Sequence, residues 1–235
     1  MNKLVVVTGG TQGIGKAIVE KFAEEGFDII ICARNQITLN SLQAELNSQF
    51  PSIKIDTLPV DLSRRDDVQK FIEFVKDFNR PVDVLVNNAG VYLPGTSFEE
   101  PEGQLETLIN TNLYGPYHLT RGLIKDMIDR KSGYIFNICS IASIMAYKNS
   151  GSYTISKFAM LGFTKSLRDE MKPFNIRVTA VIPGAVLTSS WDGMDIPAER
   201  FIKPQDVANS LFSAYTLSDS SVIEELLIRP QLGDL

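Results

Sequence analysis

The chain has 235 residues, 44% of them hydrophobic and 22% charged, a balance that closes an apolar core without disulfides or a structural metal. A formal net charge of −5, with no basic stripe anywhere, argues against a nucleic-acid partner. One histidine and two cysteines far apart do not assemble a zinc site of the usual nitrogen and sulfur kind, and no apolar run reaches the length needed to span a membrane.

The first segment, "MNKLVVVTGG", carries an apolar run over 3–8 that stops at Gly9–Gly10. It is too short for the core of a secretion signal and reads as a strand. The turn that follows, "VVVTGGTQGIGKAI", admits two readings. Gly10 to Lys16 spells the front of a nucleoside-triphosphate loop, but that motif requires Ser or Thr next, and Ala17 stands there. Alternatively Gly9, Gly13 and Gly15 make a dinucleotide turn, with a pyrophosphate at the free N–H groups and positive end of the next helix. A tight strand-to-helix turn with no ligand is the bland alternative. Ile14, Ala17, Ile18 and Phe22 then share one helical stripe, and Gly26 is placed to end it.

The second strand, 27–33, places Cys32 in an apolar run, as Cys139 is later; both read as reduced, buried thiols of a cytoplasmic protein. The strand ends in Ala33-Arg34-Asn35, without the carboxylate that holds a ribose and repels a 2′-phosphate. Asp28 lies at its wrong end. Arg34 suits a phosphate instead, which points to NADP(H), although a solvated loop arginine would look the same. Helical periodicity follows over 36–49, a strand over 53–60 ending at Asp61, a helix over 65–78 and a strand over 82–87. A long helix is predicted over 102–130; its His118 reads as a packed or surface residue, and no G-x-S-x-G turn exists to make it part of a hydrolase. A strand over 133–139 leads to "GSYTISKFAM", where Tyr153 stands four residues before Lys157. That spacing puts both on one face of a helix predicted over 153–172, but seven tyrosines in the chain make the pair alone uninformative. Strands over 176–182 and 224–229 flank a helix over 204–216. The strands are continuous Val, Ile and Leu rather than alternating, as in parallel sheets covered on both faces. The expected fold is therefore α/β, a single domain over 1–235 with one doubly wound (Rossmann) parallel sheet of about seven strands and helices on both faces.

Taken together, these motifs resemble the short-chain dehydrogenase/reductase family. The matching residues are Thr8, Gly9, Gly13 and Gly15 in the glycine turn, Asn87 to Gly90 after the fourth strand, Asn112 in "NLYG", Ser140, Tyr153 with Lys157, and Pro183, Gly184 and Thr188 after the sixth strand. They run in order over nearly the whole chain. The resemblance implies an NADPH-dependent oxidoreductase that reduces a carbonyl, with Asn112, Ser140, Tyr153 and Lys157 as its catalytic residues. A tyrosine phenol ordinarily keeps its proton at neutral pH, and a nearby cation favours its release. Tyr153 would then exchange a proton with the carbonyl oxygen, Ser140 would hydrogen-bond that oxygen, and Asn112 would hold a water linking Lys157 to solvent. A strand-end cap is the bland role for Ser140.

By the same resemblance the cofactor contacts gather around the glycine turn at Gly9, Thr11, Gln12, Gly13, Ile14 and Gly15. Others follow the strands: Arg34; Asp61 and Leu62; Asn88, Ala89 and Gly90; Pro183, Gly184, Val186 and Thr188; and Tyr153 and Lys157 on the helix. Asp61 would meet the adenine, with a helix cap as its other possible role. Gln12 departs from NADP-dependent members that carry a second basic residue there. The ending "SSVIEELLIRPQLGDL" and "PGAVLTSSW" are more similar to bacterial sepiapterin reductases than to 3-oxoacyl-carrier-protein reductases. The substrate class stays open among 3-oxoacyl thioesters, pterin side-chain ketones and diketones, set by a short lid near 189–203. A catalytically silent NADP-sensing regulator is the alternative from another class, though such proteins lose the tyrosine or lysine. Finally, Tyr114, Tyr117, Leu123, Met127 and Ile128 exceed one buried stripe, as do Phe158, Leu161 and Phe163, so a homodimer or homotetramer pairing these two helices is expected.

Overall fold

The computed structural model describes residues 1–235. Seven strands form one sheet: β1 (Leu4–Thr8), β2 (Asp28–Ala33), β3 (Ile55–Pro59), β4 (Val84–Asn87), β5 (Gly133–Ile138), β6 (Ile176–Pro183) and β7 (Glu225–Ile228). Their order is β3-β2-β1-β4-β5-β6-β7, and every neighbouring pair is parallel. The crossovers are α1 (Gly13–Glu24), α2 (Gln36–Gln49), α3 (Arg65–Asp77), α4 (Gln104–Ile109), α5 (Gly115–Arg130), α6 (Gly151–Met171) and α7 (Pro204–Tyr215). The order reverses between β1 and β4, which opens a crevice at the C-terminal strand ends, where ligands of such sheets bind.

Successive residues of β1 point to opposite faces, and both faces are covered. Val5 and Val7 pack with Ile29 and Ile31 under α1, α2 and α7; Leu4 and Val6 pack with Ile30 and Leu85 under α3, α5 and α6. Each such fully buried aliphatic side chain stabilises the fold by about 1.5–3 kcal/mol. Helix α1 ends as its sequence requires, with Phe27 N–H on Phe22 O and Gly26 N–H on Ala23 O, both at 3.0 Å. Burial pushes the Cys32 thiol up to about 12, so it is packing material and not a nucleophile.

Polar groups also cross the apolar sheet. Asn87 and Asn137 are directly paired in register across β4 and β5. Asn87 Nδ2 donates to Asn137 Oδ1 at 2.8 Å and to Thr120 Oγ1 at 3.0 Å, and Asn137 Nδ2 donates to Thr164 Oγ1 at 2.9 Å. The ladder ties α5 to α6 through the two central strands. At the N-terminal end of β2, buried Asp28 accepts from Arg80, from Lys54 N–H at 2.9 Å and from Asn2 Nδ2 at 3.1 Å. Burial pushes its carboxyl up, yet Arg80 and these donors together hold it below the ordinary carboxylate range.

The helix predicted over 102–130 needs two corrections. It starts at Gln104, and a π-helical turn over Asn110–Tyr114 divides it, with Gly115 N–H reaching back to Asn110 O. Pro116 is the reason: it has no N–H for the carbonyl four residues earlier, and its ring crowds that carbonyl. Part of the expected surplus on this helix and on α6 also disappears into the chain itself. Leu123, Met127 and Leu161 are buried, leaving Leu105, Tyr114, Ile155 and Phe158 as the large exposed apolar side chains.

Candidate active site

The turn from β1 to α1 is braced from below. Thr8 Oγ1 accepts the N–H groups of Asn88 and Ala89, both at 3.0 Å, and Asn88 Nδ2 donates to Thr8 O at 2.9 Å and Gly9 O at 3.0 Å. Gly9 has φ +66°, and a side chain on it would begin 2.9 Å from Ala89 Cα. One on Gly15 would begin inside Gly9 O and Asn88 Nδ2. Only glycine fits either place. The first N–H of α1 to reach a carbonyl is that of Lys16, on Gln12 O at 3.1 Å, so the earlier N–H groups at Gly13, Ile14 and Gly15 are free for an anion. Gln12 precedes the helix, exposed and without a capping bond, and Thr11 is half-buried beside it. Lys16, the lysine of the triphosphate-loop reading, is turned away onto Glu45 at 3.0 Å and Glu20 at 3.5 Å.

Other predicted contacts lie along the same crevice. Arg34 is exposed immediately after β2, while its neighbour Asn35 caps α2 by accepting from Ile37 N–H at 2.8 Å. Asp61 Oδ1 accepts from Ser63 N–H at 2.9 Å and from the Ser63 hydroxyl at 2.7 Å, a turn-capping role that leaves Oδ2 free; Leu62 beside it is buried. Pro183 ends β6, and Gly184 N–H bonds Ile228 O at 2.8 Å. Thr188 sits against Gly13, its Cγ2 3.0 Å from where a side chain there would begin. The segment after it is closed at its base by Leu187 N–H on Ile202 O and Ile202 N–H on Ala185 O, both at 2.9 Å, around buried Val186. Within it Trp191 meets Phe201 edge to face at 5.1 Å.

Of the catalytic candidates, Tyr153, Lys157 and Asn112 lie together, and Ser140 stands two residues beyond Ile138, whose carbonyl holds Lys157. Ser140 follows β5, and its Oγ accepts Ala142 N–H at 3.1 Å, so the hydroxyl proton remains to donate. Lys157 is buried with Nζ on Ile138 O at 3.0 Å and 5.8 Å from the Tyr153 ring centroid. Asn112, drawn inward by the π-helical turn, accepts Val91 N–H at 2.8 Å and donates to Val91 O and Ser156 Oγ, both at 3.0 Å. A side chain on Gly90 would begin 3.2 Å from Asn112 Oδ1 and 3.5 Å from Lys157 Nζ, so the amide oxygen and the ammonium both crowd the same face of that glycine. Tyr153 is half-buried, and no partner inside the chain takes its hydroxyl; Tyr92 packs edge to face on its ring at 4.9 Å. A tyrosine and a serine hydroxyl next to a buried ammonium can together hold and protonate an oxygen. His118 packs instead against Tyr114 and Tyr117.

A family model described as short chain dehydrogenase matches residues 3–195. The chain belongs to the short-chain dehydrogenase family. It is 31% identical to a sepiapterin reductase of Chlorobaculum tepidum, over 100% of this chain and 99% of that protein. It is 32% identical to a 3alpha-hydroxysteroid dehydrogenase of Mediterraneibacter gnavus, over 96% of this chain and 94% of that one. Among solved structures, a metagenomic short-chain oxidoreductase in complex with NADP superimposes with a TM-score of 0.85 at 31% identity, covering 97% of each chain.

Two features of this dehydrogenase were not foreseen. Tyr92 carried no sequence signal, because its contact with Tyr153 spans 61 positions of sequence between them. The tail after β7 folds back toward the ends of β6 and β7: Asp234 pairs with Arg229 and accepts the hydroxyl of Tyr147, on the loop after β5, at 2.6 Å. Burial and the Asp234 carboxylate together push the Tyr147 phenol up to about 12. The sequence "LGDL" gives no hint of that contact.

Proposed function

We propose that this dehydrogenase reduces a small ketone to a secondary alcohol using NADPH, with Tyr153 as the proton donor. The observation that carries the proposal is the buried Lys157 ammonium, 5.8 Å from the Tyr153 ring centroid and bonded to Ile138 O two residues before Ser140, together with a glycine cradle whose helix N–H groups are free. The cradle fits a nicotinamide dinucleotide: only glycine fits at its closest points, and unpaired N–H groups face the place of a pyrophosphate. Gly9, Thr11, Gln12, Gly13, Ile14 and Gly15 would hold the phosphates. Arg34 would take the 2′-phosphate, Asp61 and Leu62 the adenine, Asn88, Ala89 and Gly90 the ribose side, and Pro183, Gly184, Val186 and Thr188 the nicotinamide. When bound, that cofactor supplies the hydride. Ser140 donates its hydroxyl to the substrate oxygen, held in direction by Ala142 N–H. Tyr153 gives its proton to the same oxygen as the carbonyl carbon is reduced. The Lys157 ammonium, fixed on Ile138 O, faces the phenolate that remains. Asn112 pins Val91, and its oxygen and the Lys157 ammonium lie close to the same face of Gly90, on the path by which a proton would return to Tyr153.

The relatives and the walls of the site support a free ketone with an apolar or planar body. Tyr92, Met145, Leu187 and Met194 expose apolar surface on the loops after β4, β5 and β6. The lid over 189–203 sets Asp192, Asp195 and Glu199 against Arg200 and Lys203, and so offers no basic patch to an acidic acyl-carrier protein. We place the enzyme in the cytoplasm, in keeping with its two buried, unpaired thiols. Its assembly is a homodimer or homotetramer through the exposed Leu105, Tyr114, Ile155 and Phe158. The test is NADPH oxidation against vicinal diketones, a pterin side-chain ketone, a 3-ketosteroid and 3-oxoacyl thioesters, with Tyr153→Phe as control. Turnover of a diketone or pterin that falls roughly 10²–10⁴-fold in the variant, with NADPH affinity held, supports the reading. Turnover of the thioester alone, or a variant with half the activity, overturns it.

A further inference from the structure

The catalytic group leaves one half-buried carboxylate without a task. Glu100 belongs to the loop between β4 and α4, where Thr96 O accepts the N–H groups of Glu99 at 2.9 Å and Glu100 at 3.0 Å. This short turn presents Glu100 to the start of α6. Its Oε1 accepts Ser152 N–H at 2.9 Å, and its Oε2 accepts the Ser152 hydroxyl. Both partners are on α6, and the positive end of that helix is what balances the charge. The same loop holds the helix at further points. Gly95 N–H bonds Asn149 O at 3.0 Å, Gly151 N–H bonds Gly95 O at 2.9 Å, and Ser97 N lies 2.6 Å from where a side chain on Gly151 would begin. Tyr92 packs on the Tyr153 ring and donates its hydroxyl to Asn149 O at 3.2 Å. Tyr153 is the next residue after the one Glu100 binds.

We propose that Glu100 is a positioning residue: by capping Ser152 it fixes the first turn of α6 and the direction in which Tyr153 presents its hydroxyl. The inference rests on Tyr153 being the proton donor. It explains why α6 starts at Gly151, two residues ahead of the start its sequence predicts. An acid that only stabilised the helix would affect melting and leave kcat alone.

The experiment measures NADPH-dependent reduction of a vicinal diketone by the intact protein and by Glu100→Ala, Glu100→Gln, Ser152→Ala and Tyr153→Phe, with Glu100→Ala also placed in the Tyr153→Phe background. A misplacement of about 1 Å is enough for a hundredfold loss, so Glu100→Ala is expected to lower kcat roughly 10- to 100-fold, with KM and NADPH affinity within about threefold. The glutamine amide can accept Ser152 N–H and donate to Ser152 Oγ, so Glu100→Gln should restore most of kcat. In the Tyr153→Phe background the alanine change should add less than about twofold, because the group it positions is already gone. A kcat within twofold of wild type for Glu100→Ala overturns the inference, as does a glutamine variant no better than alanine or a full additional loss in the double variant. If Glu100→Ala does not fold, Ser152→Ala decides: a several-fold drop in kcat that Glu100→Gln does not share supports the role, and an unchanged kcat overturns it. Full turnover by Tyr153→Phe sinks the proton-donor reading, whereas a dead Tyr153→Phe beside an unaffected Glu100→Ala sinks only this inference.

Discussion

Replacing Gly9 with alanine tests whether the phosphate cradle is rigid before anything binds. The backbone there has φ +66°, a region that costs an L side chain roughly 1–2 kcal/mol. The new methyl would also begin 2.9 Å from Ala89 Cα, 3.1 Å from Asn88 Nδ2 and 3.2 Å from Ala89 Cβ, against an ordinary carbon–carbon separation of about 3.5–4.0 Å. Neither neighbour is free to retreat, since Asn88 and Ala89 are bonded to Thr8 and Gly9 N–H holds Cys32 O at 2.7 Å. Overpacking of this kind costs about 1–3 kcal/mol, which makes the total roughly 2–5 kcal/mol. If the turn keeps its shape, the strain appears as lost stability, a fall in Tm on the order of 10 °C for a chain of this size. If the turn opens, the strain appears on closing around NADPH, at about tenfold in affinity for each 1.4 kcal/mol. Calorimetric melting and NADPH titration of the same preparation measure both shares. A variant with Tm within 2 °C and affinity within twofold of wild type would show a pliable turn and refute the argument.

Arg34→Ala should erase most of the preference for NADPH over NADH, about a ten- to hundredfold change for one charge-assisted bond to phosphate, read by titrating both cofactors; a variant that still discriminates removes Arg34 from that role. Asp28 titrates below its ordinary range in the folded chain, so its contribution is complete above about pH 4 and is lost as pH falls further. Urea melts from pH 7 to 2 should show an acid limb that Asp28→Asn flattens, with about 3–5 kcal/mol lost at neutral pH because Arg80 is left buried and unpaired; an unchanged slope would place the acid sensitivity elsewhere. Light scattering at micromolar concentration should give a dimer or tetramer mass that Tyr114→Asp with Phe158→Asp reduces, and a monomeric wild type would end that proposal.

The strands were legible because a sheet covered on both faces leaves little room for polar residues, so mostly apolar runs such as "KLVVVT" and "IRVTAVI" have one plausible home. The site was legible where chemistry forces residue type at close spacing, as at Gly9 and Gly15 or at Tyr153 and Lys157. The π-helical turn was within reach, since Pro116 cannot donate inside a helix, but hydrophobic period alone passed over it. The start of α6 was not within reach. Gly151 N–H is taken by Gly95 O and Ser152 N–H by Glu100, 52 residues before Ser152, and no local pattern reports partners at that distance. Asp61 shows a limit of another kind: a carboxylate that closes a turn with Ser63 and one that meets a nucleotide look alike in sequence, and here one oxygen caps while the other stays free.

The buried ladder of Thr120, Asn87, Asn137 and Thr164 acts as a proof-reader for strand alignment. Parallel strands made of Val, Ile and Phe have little to tell one alignment from the next. A slip of one residue turns every side chain to the wrong face, but a slip of two keeps the apolar pattern and would go almost unpunished. The pair Asn87–Asn137 removes that degeneracy. Slipping by two would strand both amides in the apolar interior at about 1–3 kcal/mol for each unpaired group. Only the native alignment pairs their amide N–H groups, and it is the one that brings Asn88 under the glycine turn and the Ile138 carbonyl, at the end of β5, to Lys157. Replacing the two asparagines by leucines would keep the core apolar and blur the alignment, so activity would become uneven between molecules before the fold became weak.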